Sequence, residues 1–222
     1  METQEKQYQF LLDRLMNRDL GRLGMMTSQG WDDDPKRLVF TLSRYKFVAK
    51  MLDGRNNVLE VGSADAFASR IVKQHVKKLT VTDFDPIFIN DVNARMDPEW
   101  PMDVAVHDMV KSPMNQLYDA AYALDVLEHI QPKDENAFIK NTCESLTDDG
   151  VLIFGMPSLE SQPYASTASK EGHVNCKTLP DFKEVMCQYF HSVFMFSMND
   201  EVIHTGFHKM ANYLLAVCSH KK

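Results

Sequence analysis

Hydrophobic and polar positions alternate along this chain in blocks that predict two helices and then a repeated strand–helix order. Apolar side chains at helical spacing predict an amphipathic helix over residues 4–20 and a second helix that continues to residue 51. The acidic run 32–34 ahead of Pro35 is typical of the start of that second helix. From residue 57, short apolar runs predict strands at 57–61, 78–83, 103–107, 118–124 and 150–155, with helices at 66–75, 86–95 and 133–146.

The remainder of the chain departs from this alternation. Residues 156–178 show no period and predict a long irregular loop, which precedes a helix at 179–189. Two strand-like runs, 192–198 and 211–218, are expected to pair as an antiparallel hairpin. The whole order predicts an α/β fold, a Rossmann-like doubly wound sheet of about seven strands with its ligand at the carboxyl ends of the strands. We expect a helical cap over residues 1–50 and a main domain over 51–222.

Composition excludes several classes of protein. Of 222 residues, 44% are hydrophobic and 25% charged, as in ordinary globular proteins. No apolar stretch approaches the roughly 18 residues of a membrane span, and the polar, acidic start is unlike a signal peptide. Four widely spaced cysteines form no CxxC pair, which favours reduced thiols, a cytoplasmic protein and no metal site.

The net charge of −7 is unevenly distributed. Residues 1–50 contain nine Lys/Arg and seven Asp/Glu, whereas the remaining residues contain 15 and 24. Because proteins that bind long nucleic acids usually carry a dominant basic face, a small-molecule acceptor is the better prediction, and the mildly basic amino-terminal arm could hold an anionic one. The oligomeric state, monomer or dimer, stays open.

The most informative segment runs from Val58 to Phe67. An apolar run contains Glu60 and then turns through small residues into a helix, the pattern of a nucleoside-binding turn after a first parallel strand. The second strand ends in Asp83, and this pair of acids favours a ligand that carries ribose hydroxyls. A nicotinamide-binding unit is disfavoured, because its third glycine would fall on Phe67, whose ring would block close helix–strand packing.

Four motifs in this order resemble a class I S-adenosylmethionine-dependent methyltransferase over about residues 50–220. They are the turn after strand one, the acid that ends strand two, residues 107–109 after strand three, and the segment 118–130. The resemblance implies S-adenosyl-L-methionine as cofactor, bound by Glu60, Gly62, Ser63, Ala64, Asp83, Phe84, Asp108, Met109 and Leu124. Asp83 would bind the ribose hydroxyls, Asp108 the adenine amino group and Met109 the adenine ring. Two family glycines are alanines here, Ala64 and Ala66, so the turn is expected to differ locally.

Two further features narrow the resemblance. The run Asp125 to Ile130 and the later Gly172-His173 resemble the small-molecule branch that includes quinone methyltransferases. Residues 31–52, together with the loop 156–178, resemble methyltransferases from bacterial surface-polysaccharide gene clusters. This implies O-methylation of a small anionic or sugar-linked acceptor. A quinone-type acceptor stays open, as does a non-catalytic nucleoside-binding protein that keeps the fold. The altered turn slightly favours this last alternative, and the presence of Glu60, Asp83 and Asp108 disfavours it.

Candidate acceptor-side residues lie outside the cofactor motifs. His173, in the loop over the carboxyl ends of the strands, is the candidate general base; the alternative is a loop histidine that bonds to backbone. Arg37, Arg44 and Lys46 are predicted to bind an anionic acceptor, or else form a solvated helix face. His129 and His204 are the other predicted acceptor ligands, with a structural role and plain surface exposure as their respective alternatives.

Overall fold

A sheet of eight strands in the order β3-β2-β1-β4-β5-β8-β6-β7 runs through the protein. The computed structural model describes residues 2–18 and 20–222. The strands are β1 (Asn57–Val61), β2 (Lys78–Asp83), β3 (Asp103–Val106), β4 (Tyr118–Leu124), β5 (Leu146–Pro157), β6 (Phe190–Asn199), β7 (Val202–His204) and β8 (Tyr213–Lys221). The α-helices are α1 (Gln9–Asn17), α2 (Met25–Asp33), α3 (Lys36–Met51), α4 (Ser69–Lys73), α5 (Pro86–Arg95), α6 (Glu135–Glu144), α7 (Thr167–Gly172) and α8 (Leu179–Tyr189).

The first five strands are parallel and confirm the predicted doubly wound α/β fold. Strand β1 pairs with β2 on one side and with β4 on the other, so the strand order reverses between β1 and β4. Ligands of such sheets bind in the crevice outside the carboxyl ends of the strands at this reversal. Gly62, after β1, and Asp125, after β4, therefore border the expected binding crevice.

The carboxyl-terminal strands are antiparallel. Strand β8 pairs with β5 on one side and with β6 on the other, which confirms that the runs 192–198 and 211–218 pair with each other. The short strand β7 pairs with the end of β6 and brings the sheet to eight strands, one beyond the number that the hydrophobic runs predicted. Three residues are too few to produce a recognisable alternation in sequence.

Apolar residues cover both faces of the parallel strands, because helices pack on each side of the sheet. On one face, α6 and α8 contribute Phe138, Phe182 and Met186 to a core cluster. On the other face, the last turns of α3 contribute Tyr45 and Val48 to a second cluster. The end of α3 is thus part of the hydrophobic core, and α2 lies beside the binding crevice.

The amino-terminal helices differ from the predicted boundaries. The helix predicted over 4–20 is a short 3-10 helix, Lys6–Tyr8, followed by α1, and residue 19 lies outside the described residues. Trp31 belongs to the last turns of α2 and does not begin the next helix. The predicted capping is carried by Asp34, whose Oδ1 accepts from the Lys36 amide at 3.2 Å. The helix predicted over 66–75 is shortened to α4.

The stretch 156–178 is more regular than predicted. Strand β5 continues to Pro157, a 3-10 helix covers Leu159–Tyr164, and α7 follows. Serine side chains cap both short helices, Ser158 accepting from the Ser161 amide and Ser166 from the Ser169 amide. Helices of six residues complete too few turns for an apolar period, so the sequence pattern did not reveal them. Within the two described ranges, no helix is both long and apolar enough to cross a lipid bilayer.

Candidate active site

The turn after β1 keeps the backbone that glycine residues would adopt. Gly62 has a φ of 72°, Ala64 of 46° and Ala66 of 50°. The two alanines therefore occupy the left-handed region, at a cost of roughly 1–2 kcal/mol each. Glycine is required at position 62, since a Cβ atom there would lie 2.4 Å from Cγ2 of Val126. The turn therefore differs from a glycine-containing turn in its backbone strain and keeps the same sign of φ at both alanines.

Asp83 joins the end of β2 to this turn. Its Oδ2 accepts from the Ala64 amide at 3.0 Å and its Oδ1 from the Asp85 amide at 2.9 Å. The Asp83 carbonyl accepts from the His107 amide at 2.9 Å, which brings the end of β3 alongside. Phe84, the next residue, leaves 71% of its surface exposed. The carboxylate keeps lone pairs for a ligand, and an exposed aromatic ring lies one residue further on.

The residues after β3 take different environments. Asp108 is half-buried, accepts from the Val110 amide at 3.1 Å and forms an ion pair of 2.9 Å with Lys111. Met109 is buried in the core cluster that contains Leu59. The adenine contacts of Asp108 and Met109 stay predictions, and the structure gives both side chains partners within the protein.

Glu60 lies beneath the turn with its carboxylate fully enclosed. Its Oε1 accepts from the Tyr45 hydroxyl at 2.7 Å and its Oε2 from the Tyr122 hydroxyl at 2.6 Å. Burial raises the pKa of Glu60 to about 7, because removal from water disfavours the charged form more than the hydroxyl donors favour it. Glu60 thus links α3 to β4 beneath the cofactor turn, and its predicted contact with cofactor stays a prediction.

This pKa makes stability depend on pH. Between pH 4.5, the ordinary pKa of a glutamate, and pH 7, the folded chain binds a proton at Glu60 that the unfolded chain has released. The free energy of unfolding is therefore expected to fall by about 3 kcal/mol as pH rises through this window, and Glu60 adds no further slope above pH 7. Urea unfolding of the wild type and Glu60→Gln across this range measures the effect as their difference, which cancels other titrating groups. A pH-independent difference would contradict the prediction.

A cavity of about 310 Å³ lies between this turn and the amino-terminal helices. Its walls include five residues predicted for cofactor or acceptor binding, Gly62, Ser63, Ala64, Leu124 and Arg37, together with Asp125. Asp65 holds α2 over the turn, because its carboxylate accepts from both the amide and the hydroxyl of Thr27, at 2.7 and 3.1 Å. The fold therefore places Arg37 and the turn after β1 around one cavity.

The other two predicted cations of α3 have different surroundings. Arg44 donates from one guanidinium nitrogen to both oxygens of Asp125, at 2.9 and 2.7 Å, and lies 3.7 Å over the centroid of the Tyr213 ring. Asp125 itself has a φ of 57° directly after β4. Lys46 is exposed. The charge of Arg44 is thus matched within the protein, and roles of the three cations in acceptor binding stay predictions.

His173 and His129 are brought together by the loop that follows β5. Their rings pack edge to face with centroids 5.1 Å apart. The loop is fixed to the end of β4, because the Glu128 carbonyl accepts from the amides of Val174 and Asn175 at 2.8 and 3.0 Å. Burial, followed by the nearby His129 ring, lowers the pKa of His173 and favours its neutral form.

Residues 33–190, about seven tenths of the chain, match the profile of a family described as a methyltransferase domain. The chain belongs to this family of methyltransferase domains. An uncharacterized methyltransferase of Staphylococcus carnosus (strain TM300) is 28% identical over 117 residues, 53% of this chain and 54% of that protein. The chain thus spans about half the length of this curated relative.

Solved structures share the fold of this methyltransferase domain. The N-methyltransferase NodS from Bradyrhizobium japonicum WM9, crystallised with S-adenosyl-L-homocysteine, is 20% identical with a TM-score of 0.63, over 95% of this chain and 97% of NodS. The methyltransferase domain of the bacterial protein CtHen1-C is 17% identical with a TM-score of 0.68, over 81% of this chain and 98% of that one. These likenesses confirm the predicted methyltransferase fold.

His204, the last residue of β7, has both ring nitrogens in hydrogen bonds. Its Nε2 lies 2.8 Å from Oδ1 of Asn199, and its Nδ1 accepts from the Gly206 amide at 3.0 Å. These contacts give the imidazole a structural role in the β6–β7 connection of the methyltransferase domain. Its predicted contact with an acceptor stays a prediction.

Sequence reasoning assigned no role to Asp125 or Glu128, although both lie in the segment 118–130. The Glu128 side chain is fully buried and, among the residues that the structure describes, neither carboxylate oxygen has a hydrogen-bond partner. Burial and then the Asp125 carboxylate raise the pKa of Glu128 well above its usual range. The sequence signal for this region was the adjacency of Glu128 and His129. His173, which packs on His129, lies 44 positions further along the chain.

Proposed function

We propose that this protein transfers a methyl group from S-adenosyl-L-methionine to an oxygen atom of a small anionic or sugar-linked acceptor. The observation that carries the proposal is the cavity between the turn after β1 and helices α2 and α3. It combines the turn after β1 of a methyltransferase domain with Arg37, which forms no ion pair with another described residue, in one space. Transfer from a sulfonium is an in-line displacement, so alignment and exclusion of water are the main tasks of the protein.

The positions of the predicted cofactor residues support S-adenosyl-L-methionine as donor. Asp83 is anchored beside the turn, and each of its carboxylate oxygens accepts from one amide and can accept a further hydrogen bond. Phe84 supplies an exposed aromatic face next to it. The positive φ of Ala64 and Ala66 keeps the turn in its glycine-like shape, which favours a functional turn over a non-catalytic relic.

The acceptor side supports an oxygen nucleophile. Two imidazoles, of His129 and His173, pack together after β4, and His173 lies within electrostatic reach of Asp125, which lines the cavity. A hydroxyl acceptor must lose its proton during transfer, and a neutral His173 is suited to favour that loss. Arg37 would bind a phosphate or carboxylate on the acceptor through paired hydrogen bonds. Modification of surface polysaccharide is the biological setting that we propose for such an acceptor.

We expect calorimetric titration to detect binding of S-adenosyl-L-methionine and S-adenosyl-L-homocysteine at one site per chain. Incubation with donor bearing a trideuterated methyl group and a panel of nucleotide sugars, phosphorylated metabolites, quinols and amines should then give O-methylated sugar or phosphate products by mass spectrometry.

The outcomes separate the alternatives. Absence of binding to either ligand at millimolar concentration would eliminate the enzyme. Binding without methylation of any panel member would favour a nucleoside-binding protein. Transfer of the label to amines or quinols would support methyltransferase activity and reject the proposed class of acceptor. Arg37→Ala should raise the Michaelis constant for an anionic acceptor while leaving the affinity for donor unchanged.

A further inference from the structure

Three metal-ligating side chains converge where β4 meets the loop after β5. Glu128, His129 and His173 each place one donor atom within 4.8 Å of the other two. Ligands that are about 2.1 Å from a shared cation lie no more than about 4.2 Å apart, so small side-chain rotations close the remaining gap. The geometry of the cluster is therefore near that of a bound ion.

Glu128 is the member that needs a partner. Its carboxylate is completely buried, and within residues 2–18 and 20–222 neither oxygen has a hydrogen-bond donor from another residue. Buried carboxylates in proteins are normally paired with a cation or hydrogen-bonded, because an isolated charge is costly to remove from water. Arg44, whose positive charge acts on Glu128, is already bonded to both oxygens of Asp125. A cation at the cluster would pair with the carboxylate in its charged form.

The two histidines make the outer hydrogen bonds that metal-ligating histidines usually make. Nδ1 of His129 lies 2.9 Å from the Gly172 carbonyl, and Nδ1 of His173 lies 2.8 Å from Oε1 of Gln162. Both oxygens are acceptors, so each Nδ1 carries the proton and each Nε2 keeps a lone pair. This outer hydrogen bond fixes the tautomer and ring orientation of metal-ligating histidines in general.

The loop is built to hold His173 in this place. Its backbone is bonded to the Glu128 carbonyl through two amides. Gly172 permits the close approach of the His129 ring, since a Cβ at that position would lie 3.2 Å from Nδ1 of His129. Lys177 and Asn175 add contacts with Glu135 at 2.8 and 2.6 Å, which anchor the loop to α6.

We propose that Glu128, His129 and His173 bind one divalent cation, and that this ion holds the acceptor oxygen next to the cavity. Two imidazoles and one carboxylate suit borderline ions such as Zn²⁺ and Co²⁺, whereas Mg²⁺ and Ca²⁺ prefer all-oxygen ligands. Three protein ligands leave one coordination position of the ion open. A hydroxyl that binds the ion at this position has its pKa lowered. With Nε2 of His173 on the ion, the ion takes over from His173 the task of favouring loss of the hydroxyl proton, which passes to solvent. The oxygen then forms its bond to the methyl carbon as the sulfur keeps the pair of the broken C–S bond. This second step rests on the proposed function, and binding of the ion does not.

The test uses the full-length protein, treated with a chelator and then titrated with Co²⁺ in the absence of donor and acceptor. Visible d–d absorption of Co²⁺ and calorimetry with Zn²⁺ should both give one ion per chain. Glu128→Gln, His129→Asn and His173→Asn are each expected to weaken binding at least 100-fold. His204→Asn and His208→Asn are matched controls that leave it unchanged, because these histidines lie at the β6–β8 connection.

A thermal scan distinguishes ion binding from a purely structural role of the three side chains, because a structural role would not make the melting temperature depend on Zn²⁺. Zn²⁺ should raise the melting temperature of the wild type and of both controls, but not of the three ligand variants. His173→Asn decides the matter if Glu128→Gln does not fold, because His173 lies on a loop and is only partly buried. The proposal is overturned if the wild type binds no ion at 1 mM, or if His173→Asn binds as tightly as the wild type. Ion binding without any affinity for S-adenosyl-L-methionine would instead reject the proposed function alone.

Discussion

Replacement of Arg44 by alanine is expected to lower the free energy of unfolding by about 3 kcal/mol. The change leaves the Asp125 carboxylate without its partner, next to the buried Glu128, and removes the cation from the Tyr213 ring. Removal of one partner from a fully buried pair costs about 3–5 kcal/mol. Because the Asp125 side chain is 36% exposed, water screens its charge and the lower end of this range applies. Urea unfolding at pH 7 gives the value.

A matched control lies on the same helix. Arg37 is exposed at the start of α3 with no ion pair to another described residue, so Arg37→Ala should change stability by no more than about 0.5 kcal/mol. Asp125→Asn keeps a residue that tolerates positive φ, and combined with Arg44→Ala it should cost less than the sum of the single changes. Equal stability of Arg44→Ala and Arg37→Ala would show that the ion pair contributes nothing.

Replacement of Asp83 by alanine is expected to weaken the binding of S-adenosyl-L-methionine at least tenfold. The proposed site loses two charge-assisted hydrogen bonds to ribose hydroxyls, each worth roughly 1.5–3 kcal/mol. The turn also loses the acceptor of the Ala64 amide, which holds it next to β2. Calorimetry with donor and with S-adenosyl-L-homocysteine measures the change.

Asp85 provides the control for this experiment. It lies two residues away and caps α5 by accepting from the Ile87 amide at 2.9 Å. Asp85→Ala should therefore cost about 1 kcal/mol of stability and leave cofactor affinity unchanged. The ribose assignment fails if Asp83→Ala binds donor as the wild type does, or if both variants lose affinity equally.

These predictions concern two kinds of residue that the fold places within one region. Asp83 is a strand-end acid that a motif identifies, and its partners are amides of neighbouring turns. Arg44 was predicted as an acceptor ligand, and the structure gives it a carboxylate 81 positions away. A basic helix face in sequence does not reveal whether each charge is matched by a distant acid.

The sequence by itself determined the strand–helix order, the parallel sheet and the positions of residues at the strand ends. Apolar runs and turn residues are local properties, and short connections between parallel strands leave few possible arrangements. The resemblance in motif order likewise led to the methyltransferase family. The short helices within 156–178 and the strand β7 were missed because they are shorter than any detectable period.

Only the tertiary structure decided which side chains meet. It enclosed Glu60 between Tyr45 and Tyr122, joined Arg44 to Asp125, and placed His173 beside His129 and the buried Glu128. The expectation that the chain has no metal site came from its cysteine spacing. That spacing carries no information on histidines and carboxylates that are distant in sequence. Such clusters depend on how a loop docks on a strand end, and docking is set by long-range packing and backbone hydrogen bonds that leave no periodic trace in the sequence.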